Sequence, residues 1–291
     1  MPYFILIILT ILTFSGCTTS KVNHPEHFAS SCQKGIFYLK ASKCIDSNKF
    51  IKKLEQYPVI FIGDHHKSSE VHNFTKEIIE ELSKRGYKIH LANEWFTPSD
   101  NKTLASLAKK EFNEDEFKKL IEWDSYMTLD FSLFSPIYKA VIENGGELYG
   151  VNLSKVERKM LTQKSMPLYL EQFYNQLDAN TKVHKEYVKP YLHCFKPRDG
   201  ESKDECLDRM YLVQVAWDSM MAGQSAYLVH KKLKAKRDKL IVFVGSMHLA
   251  YGLGVNMRFA RMSDKPFVTV MPQKAPISNI PVGYSDFIFL Y

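Results

Sequence analysis

Two places in this 291-residue chain put proton-carrying or metal-binding side chains directly after a short apolar run. Residues 58–62 lead into Gly63, Asp64, His65 and His66, and residues 240–244 lead into Gly245, Ser246, Met247 and His248. Imidazole beside carboxylate can relay a proton near neutral pH, or hold a divalent ion that acidifies a bound water for hydrolysis. Glu94 and Asn152 follow two further apolar runs and join Asp64, His65, His66 and His248 as candidate site residues. A second chemistry starts in the next loop, where Tyr251 stands beside Gly252 and Gly254. Glycine leaves backbone room for a flat ligand, and a tyrosine phenolate is a known axial ligand of haem iron.

These residues need a scaffold that brings separate chain segments to one edge. Short runs rich in Ile, Val and Phe and closed by Gly read as buried parallel strands, and ligands of open α/β sheets bind beyond the carboxyl ends of such strands. The spacing predicts strands over 58–62, 89–92, 147–151, 240–244 and 267–271, with a last one over 287–290. Ser68 or Ser69 should cap a helix built on Val71, Phe74, Ile78 and Leu82 and ended by Gly86, and Asn113 with Glu116 should open another. Residues 154–236 carry no strand signal, and Leu207, Tyr211, Gln214, Trp217, Met221, Ser225 and Leu228 fall at helical spacing. The expected fold is α/β, a parallel β-sheet flanked by helices with a smaller all-helical subdomain inserted. The sheet domain should comprise 58–153 and 237–291, and the helical subdomain 154–236.

The first sixteen residues read as a lipoprotein-type signal peptide, because an uncharged apolar stretch is followed by Ser15, Gly16 and Cys17. Cleavage would leave Cys17 to carry the lipid, with residues 17–57 as a tether and irregular lead-in, and a membrane-anchored, exported protein as the result. In an oxidising compartment the remaining four cysteines suit structural disulfides, with Cys32 to Cys44 and Cys194 to Cys206 as the sequence-near pairing. The formal charge of +7 comes from 39 basic and 32 acidic residues spread along the chain, which together with export argues against a nucleic-acid partner.

Several of these pieces, in order, resemble the ChaN-like haem-binding lipoproteins of bacterial iron uptake. They are Cys17, Gly63 to His66 with His72, Glu94 to Phe96, Pro136 with Asn152 and Leu153, His193 with Cys194, the Gln214, Asp218, Met221, Ala222 stretch, and Gly245 to Val255. Asp64 departs from the Glu usual in that family, as Asn256 does from Pro. The resemblance implies haem as cofactor, bound at a haem-dependent homodimer interface with two haems face to face. It further implies Tyr251 as iron ligand, with His193 and a lysine, Lys155 or alternatively Lys67, on the haem propionates. An outer-membrane location and a haem receptor system as transport partner are the matching expectations. The alternative, drawn from the strand-end residues themselves, is an exported metal-dependent hydrolase using Asp64, His65, His66, Glu94 and His248.

Overall fold

The computed structural model describes residues 32–162, 181–194, 197–276, 280 and 283–291. The proposed leader, Cys17 and most of the tether lie outside them. Eight strands form one sheet in the order β2-β1-β8-β7-β3-β6-β4-β5. The central strands are β3 (Val59–Asp64), β4 (Lys88–Asn93), β5 (Glu147–Gly150), β6 (Asp238–Gly245), β7 (Phe267–Gln273) and β8 (Phe287–Leu290), all parallel to their neighbours within this group. An antiparallel hairpin of β1 (Gly35–Tyr38) and β2 (Lys43–Ile45) closes the β8 side.

Alternation along β3 divides the core. Ile60 and Ile62 face one layer, with α1 (Ser47–Leu54), α2 (Ser69–Lys84) and α6 (Ser135–Glu143), while Val59 and Phe61 face the other. The first layer also holds α3 (Asn101–Leu107), α4 (Glu114–Leu120) and the short α5 (Trp123–Tyr126). Between β5 and β6 run α7 (Lys155–Thr162), α8 (Thr181–Val188) and the thirty-residue α9 (Lys203–Lys232). Met221, Ala222, Leu228 and Val229 of α9 cover the second sheet face together with Val255 and Phe259 of α10 (Val255–Met262). Thus α9 is part of the sheet's own packing as well as the body of the helical stretch.

Local signals explain the boundaries. Ser68 caps α2 by accepting the Val71 N–H, Asn113 caps α4 by accepting that of Glu116, and Ser202 with Glu205 forms a capping box on α9; each such cap contributes about 1 kcal/mol. The lead-in is less irregular than expected: it contains β1, β2 and α1, the last capped by Asp46. The β5 edge is sealed by a side chain, because Asn101 Oδ1 accepts the Gly150 N–H at 2.7 Å. A Cβ on Gly150 would lie 2.3 Å from the Thr97 carbonyl oxygen, so only glycine permits that cover to sit so close. Disulfides join Cys32 to Cys44 and Cys194 to Cys206. Among the described residues no helix is long and apolar enough to cross a membrane.

Candidate functional site

Parallel pairing sets the ends of β3, β6 and β4 side by side, with Asp64 opposite Gly245 and Asn93 opposite Phe243. The residues just past those ends therefore meet, as the sheet geometry demands. Glu94 lies between two histidines. His66 Nε2 is 3.7 Å from one of its oxygens, His248 Nε2 is 3.7 Å from the other, and the Gly245 N–H donates to it at 2.9 Å. Each imidazole is held from behind: His66 Nδ1 by Asp64 at 2.8 Å and His248 Nδ1 by Asp218. Both rings consequently turn Nε2 toward Glu94 and the cavity, the orientation a carboxylate partner imposes.

The electrostatics follow from that arrangement. Burial by itself would raise Asp64 and lower the histidines. At Asp64 the hydrogen bonds from His66 and His72 outweigh it and hold the carboxyl below the usual range. At His66 the Asp64 hydrogen bond and the Glu94 charge overcome desolvation, and at His248 Asp218 and Glu94 do the same, so both titrate above an ordinary histidine. A Cβ at position 245 would come within 2.9 Å of His66 Cε1, so any larger residue there would displace that ring.

A cavity of about 530 Å³ opens above this row, walled by Trp95, Met127, Leu153, Trp217 and Met247 and rimmed by Asn152, Ser154 and Arg158. Asn152 serves its wall, donating to the Glu94 carbonyl at 3.0 Å and accepting the Leu153 N–H at 2.7 Å. His65 points elsewhere, to the Tyr291 hydroxyl at 2.7 Å, and burial lowers its pKa. The structure thus brings Asp64, His66, Glu94, Asn152 and His248 together and leaves His65 outside.

Tyr251 is not among the residues lining that cavity. It lies in the following loop, partly exposed, with ring edges against Tyr187 and Tyr284 at centroid distances of 5.0 and 5.1 Å. Burial raises its pKa, so near neutral pH the phenol keeps its proton unless a positive partner stabilises the anion. His193 is exposed, two residues beyond Tyr191, whose ring sits 5.9 Å from that of Tyr187. Lys67 is exposed after β3; Lys155 opens α7, and its side chain lies outside the described residues.

Sequence reasoning missed the roles of His72, His184, Asp218 and Arg258. His72 Nε2 holds the second Asp64 oxygen at 2.8 Å. Asp218, fully buried on α9, gathers His248, Gln214 at 3.2 Å, His184 Nε2 at 3.3 Å and Arg258 Nη1 at 3.6 Å. A carboxylate one turn from Gln214, within the apolar stripe of a helix, was the available signal.

A parallel sheet with a carboxylate-anchored histidine pair at its carboxyl edge, and an accessible tyrosine one loop away, defines an α/β ligand-binding protein. The sequence matches the family described as haem-binding uptake, Tiki superfamily, ChaN, over residues 50–259. The chain belongs to this ChaN family, whose cofactor is haem. Among solved structures it is similar to ChaN of Campylobacter jejuni, described with cofacial haem, at 20% identity and TM-score 0.67, covering 89% of this chain and 97% of that one. It is also similar to an erythromycin esterase mutant, EreC, in its open conformation, at 13% identity and TM-score 0.50, covering 88% and 81%. At these identities the likeness is one of fold. No curated protein matches the chain by sequence.

Proposed function

We propose that this protein is a membrane-anchored lipoprotein of haem and iron uptake that takes haem iron on Tyr251 at a haem-dependent homodimer interface. The observation that carries the reading is Tyr251 itself: a partly exposed phenol, fixed in a left-handed backbone conformation among other tyrosines, with no hydrogen-bond partner for its hydroxyl among the described residues. Bound ferric haem would supply the positive charge that stabilises the phenolate. The chain's part is to present the oxygen, lose its proton on coordination and offer aromatic surface beside a flat ligand. His193 and Lys155, with Lys67 as the other lysine, are the proposed propionate contacts. Cleavage before Cys17 and lipidation of that cysteine would place the protein on the outer membrane, beside a haem receptor system.

Hemin titration followed by absorption tests the ligand. Wild type should give a high-spin ferric tyrosinate spectrum that Tyr251→Phe abolishes; an unchanged spectrum and affinity in the variant would sink the assignment. Sedimentation should show dimers only with haem. Palmitate labelling should be lost in Cys17→Ser.

One observation favours a second reading, an exported metal-dependent hydrolase. The row Asp64, His66, Glu94, His248, Asp218 turns two imidazole Nε2 atoms and a carboxylate toward a cavity separate from Tyr251. This nitrogen and oxygen donor set suits a zinc-like ion. His66, Glu94 and His248 would have to draw closer together than they stand to hold such an ion, which would then lower the pKa of a bound water. Absence of a stoichiometric divalent ion and of turnover on ester and peptide panels would exclude this reading.

A further inference from the structure

Tyr251 has φ +58° and ψ 13°, a backbone conformation that costs a side-chain-bearing residue energy and persists only where its surroundings enforce it. Two separately anchored segments do so. The Tyr251 N–H donates to the Tyr284 carbonyl at 3.0 Å, and the ring of Tyr284 meets the Tyr251 ring edge-on. Tyr284 is itself held, since its hydroxyl accepts from Gln273 at the end of β7. On the other side stands Tyr187, nearly perpendicular to the Tyr251 ring at an interplanar angle of 72°.

Tyr187 belongs to α8, and α8 is pinned to the body of the fold one turn earlier. His184 is buried, with Nε2 on Asp218 at 3.3 Å and Nδ1 on the Tyr211 hydroxyl at 3.2 Å, while Val188 packs beside Tyr211 and Val215. The His184 contact with Asp218 lacks hydrogen-bond geometry, so the Tyr211 hydrogen bond and the Val188 packing are what tie α8 to α9 beside Tyr251.

We propose that Tyr187 and Tyr284 are positioning residues that preset the Tyr251 side chain as an iron ligand, with α8 held against α9 through His184, Tyr211 and Val188. The proposal rests on the reading of Tyr251 as the haem ligand. A ligand held in place before iron arrives loses little rotamer freedom on binding, and two neighbouring rings restrict how the Tyr251 ring turns.

The test uses the full chain loaded with hemin. The rate of haem loss to a scavenging apoglobin, the ferric tyrosinate charge-transfer band and the ferric/ferrous potential are read for each variant. Tyr187→Ala and Tyr187→Leu remove the ring and should release haem about tenfold faster, with a shifted, broadened band and a raised potential. Tyr187→Phe keeps the ring and should restore all three to wild-type values. Tyr187→Leu fills the space, so it separates loss of the aromatic wall from simple loss of packing. Wild-type rate, band and potential in both the Ala and Leu variants, while Tyr251→Phe loses the spectrum, would overturn the positioning role and leave the ligand reading intact. An unchanged spectrum in Tyr251→Phe would remove the ligand reading, and this inference with it.

Discussion

Removing the Asp218 carboxylate is the most informative single perturbation of this protein. Asp218 is fully buried and faces Arg258, itself only 1% exposed, as well as His248 and His184. Asp218→Ala strands a guanidinium and an imidazole in the core, where breaking a buried charge pair costs about 3–5 kcal/mol. Arg258 keeps two carbonyl acceptors, Leu253 at 3.0 Å and Gly254 at 3.1 Å, which argues for the lower half of that range. The chain should therefore still fold at low temperature, because domains of this size commonly have about 5–15 kcal/mol in hand.

Asp218→Asn retains the hydrogen bonds and loses the charge, and should cost about 1–3 kcal/mol. Urea unfolding measures both, and Arg258→Met closes a cycle in which the coupling should exceed about 1 kcal/mol. The sign of a pH effect adds an independent check. The folded-state pKa of His248 is raised, so its contribution is complete below the unfolded value near 6.5 and fades as pH rises through the folded value. That fading should flatten in Asp218→Ala. A cost below about 1 kcal/mol for the alanine variant would refute the view of Asp218 as the charge that balances this core.

Other expected outcomes follow the same physics. A Cβ on Gly254 would sit 2.0 Å from the His248 carbonyl oxygen, so Gly254→Ala should lower stability in urea by about 3 kcal/mol and weaken haem binding. Gly252→Ala meets nothing within 4 Å and strains only its φ of +66°, so thermal melts should show a loss of about 1 kcal/mol. The Glu147 carboxyl is held down to about 2: burial opposes the shift, and hydrogen bonds from Lys88, Tyr149 and Lys232 overcome it. Its contribution is present above about pH 4.5 and fades as pH falls toward 2, and after solvent screening should amount to about 1 kcal/mol, read as a shallower acid limb in Glu147→Gln.

The sheet was largely legible because parallel strands buried on both faces spell continuous Val, Ile and Phe runs. The expected strands over 240–244 and 287–290 fall within β6 and β8, and the one over 58–62 overlaps β3 but for Pro58. The β1–β2 hairpin was not, since three or four residues at a sheet edge leave too short a pattern to rise above a polar lead-in. Residues 101–123 form α3, α4 and the start of α5 as separate helices, because the polar stretch after Leu107 interrupts the apolar spacing, and Asn113 with Glu116 opens α4 as expected. At the cavity, Asp64, His66, Glu94 and His248 could be named because strand ends announce themselves. Which histidine turns away could not: His65 and His66 are adjacent, and only the position of Tyr291 in space decides between them. The role of Asp218 escaped because a carboxylate in an apolar helical stripe signals a buried partner without saying which, and His184 and Arg258 lie far from it along the chain.

The glycine and asparagine that seal the last strand also restrict how two molecules can join. With the Gly150 amide already given to Asn101 and the Thr97 backbone pressed against it, the end of the β5 margin is closed to a pairing strand. The opposite margin ends in the three-residue β2, too short to template a continuous sheet. The proposed haem-dependent dimer would then form through loops and side chains, with the loop bearing Tyr251 as its aromatic surface. Such a contact can be made and dissolved with its ligand, whereas a shared sheet would persist after the cargo had left.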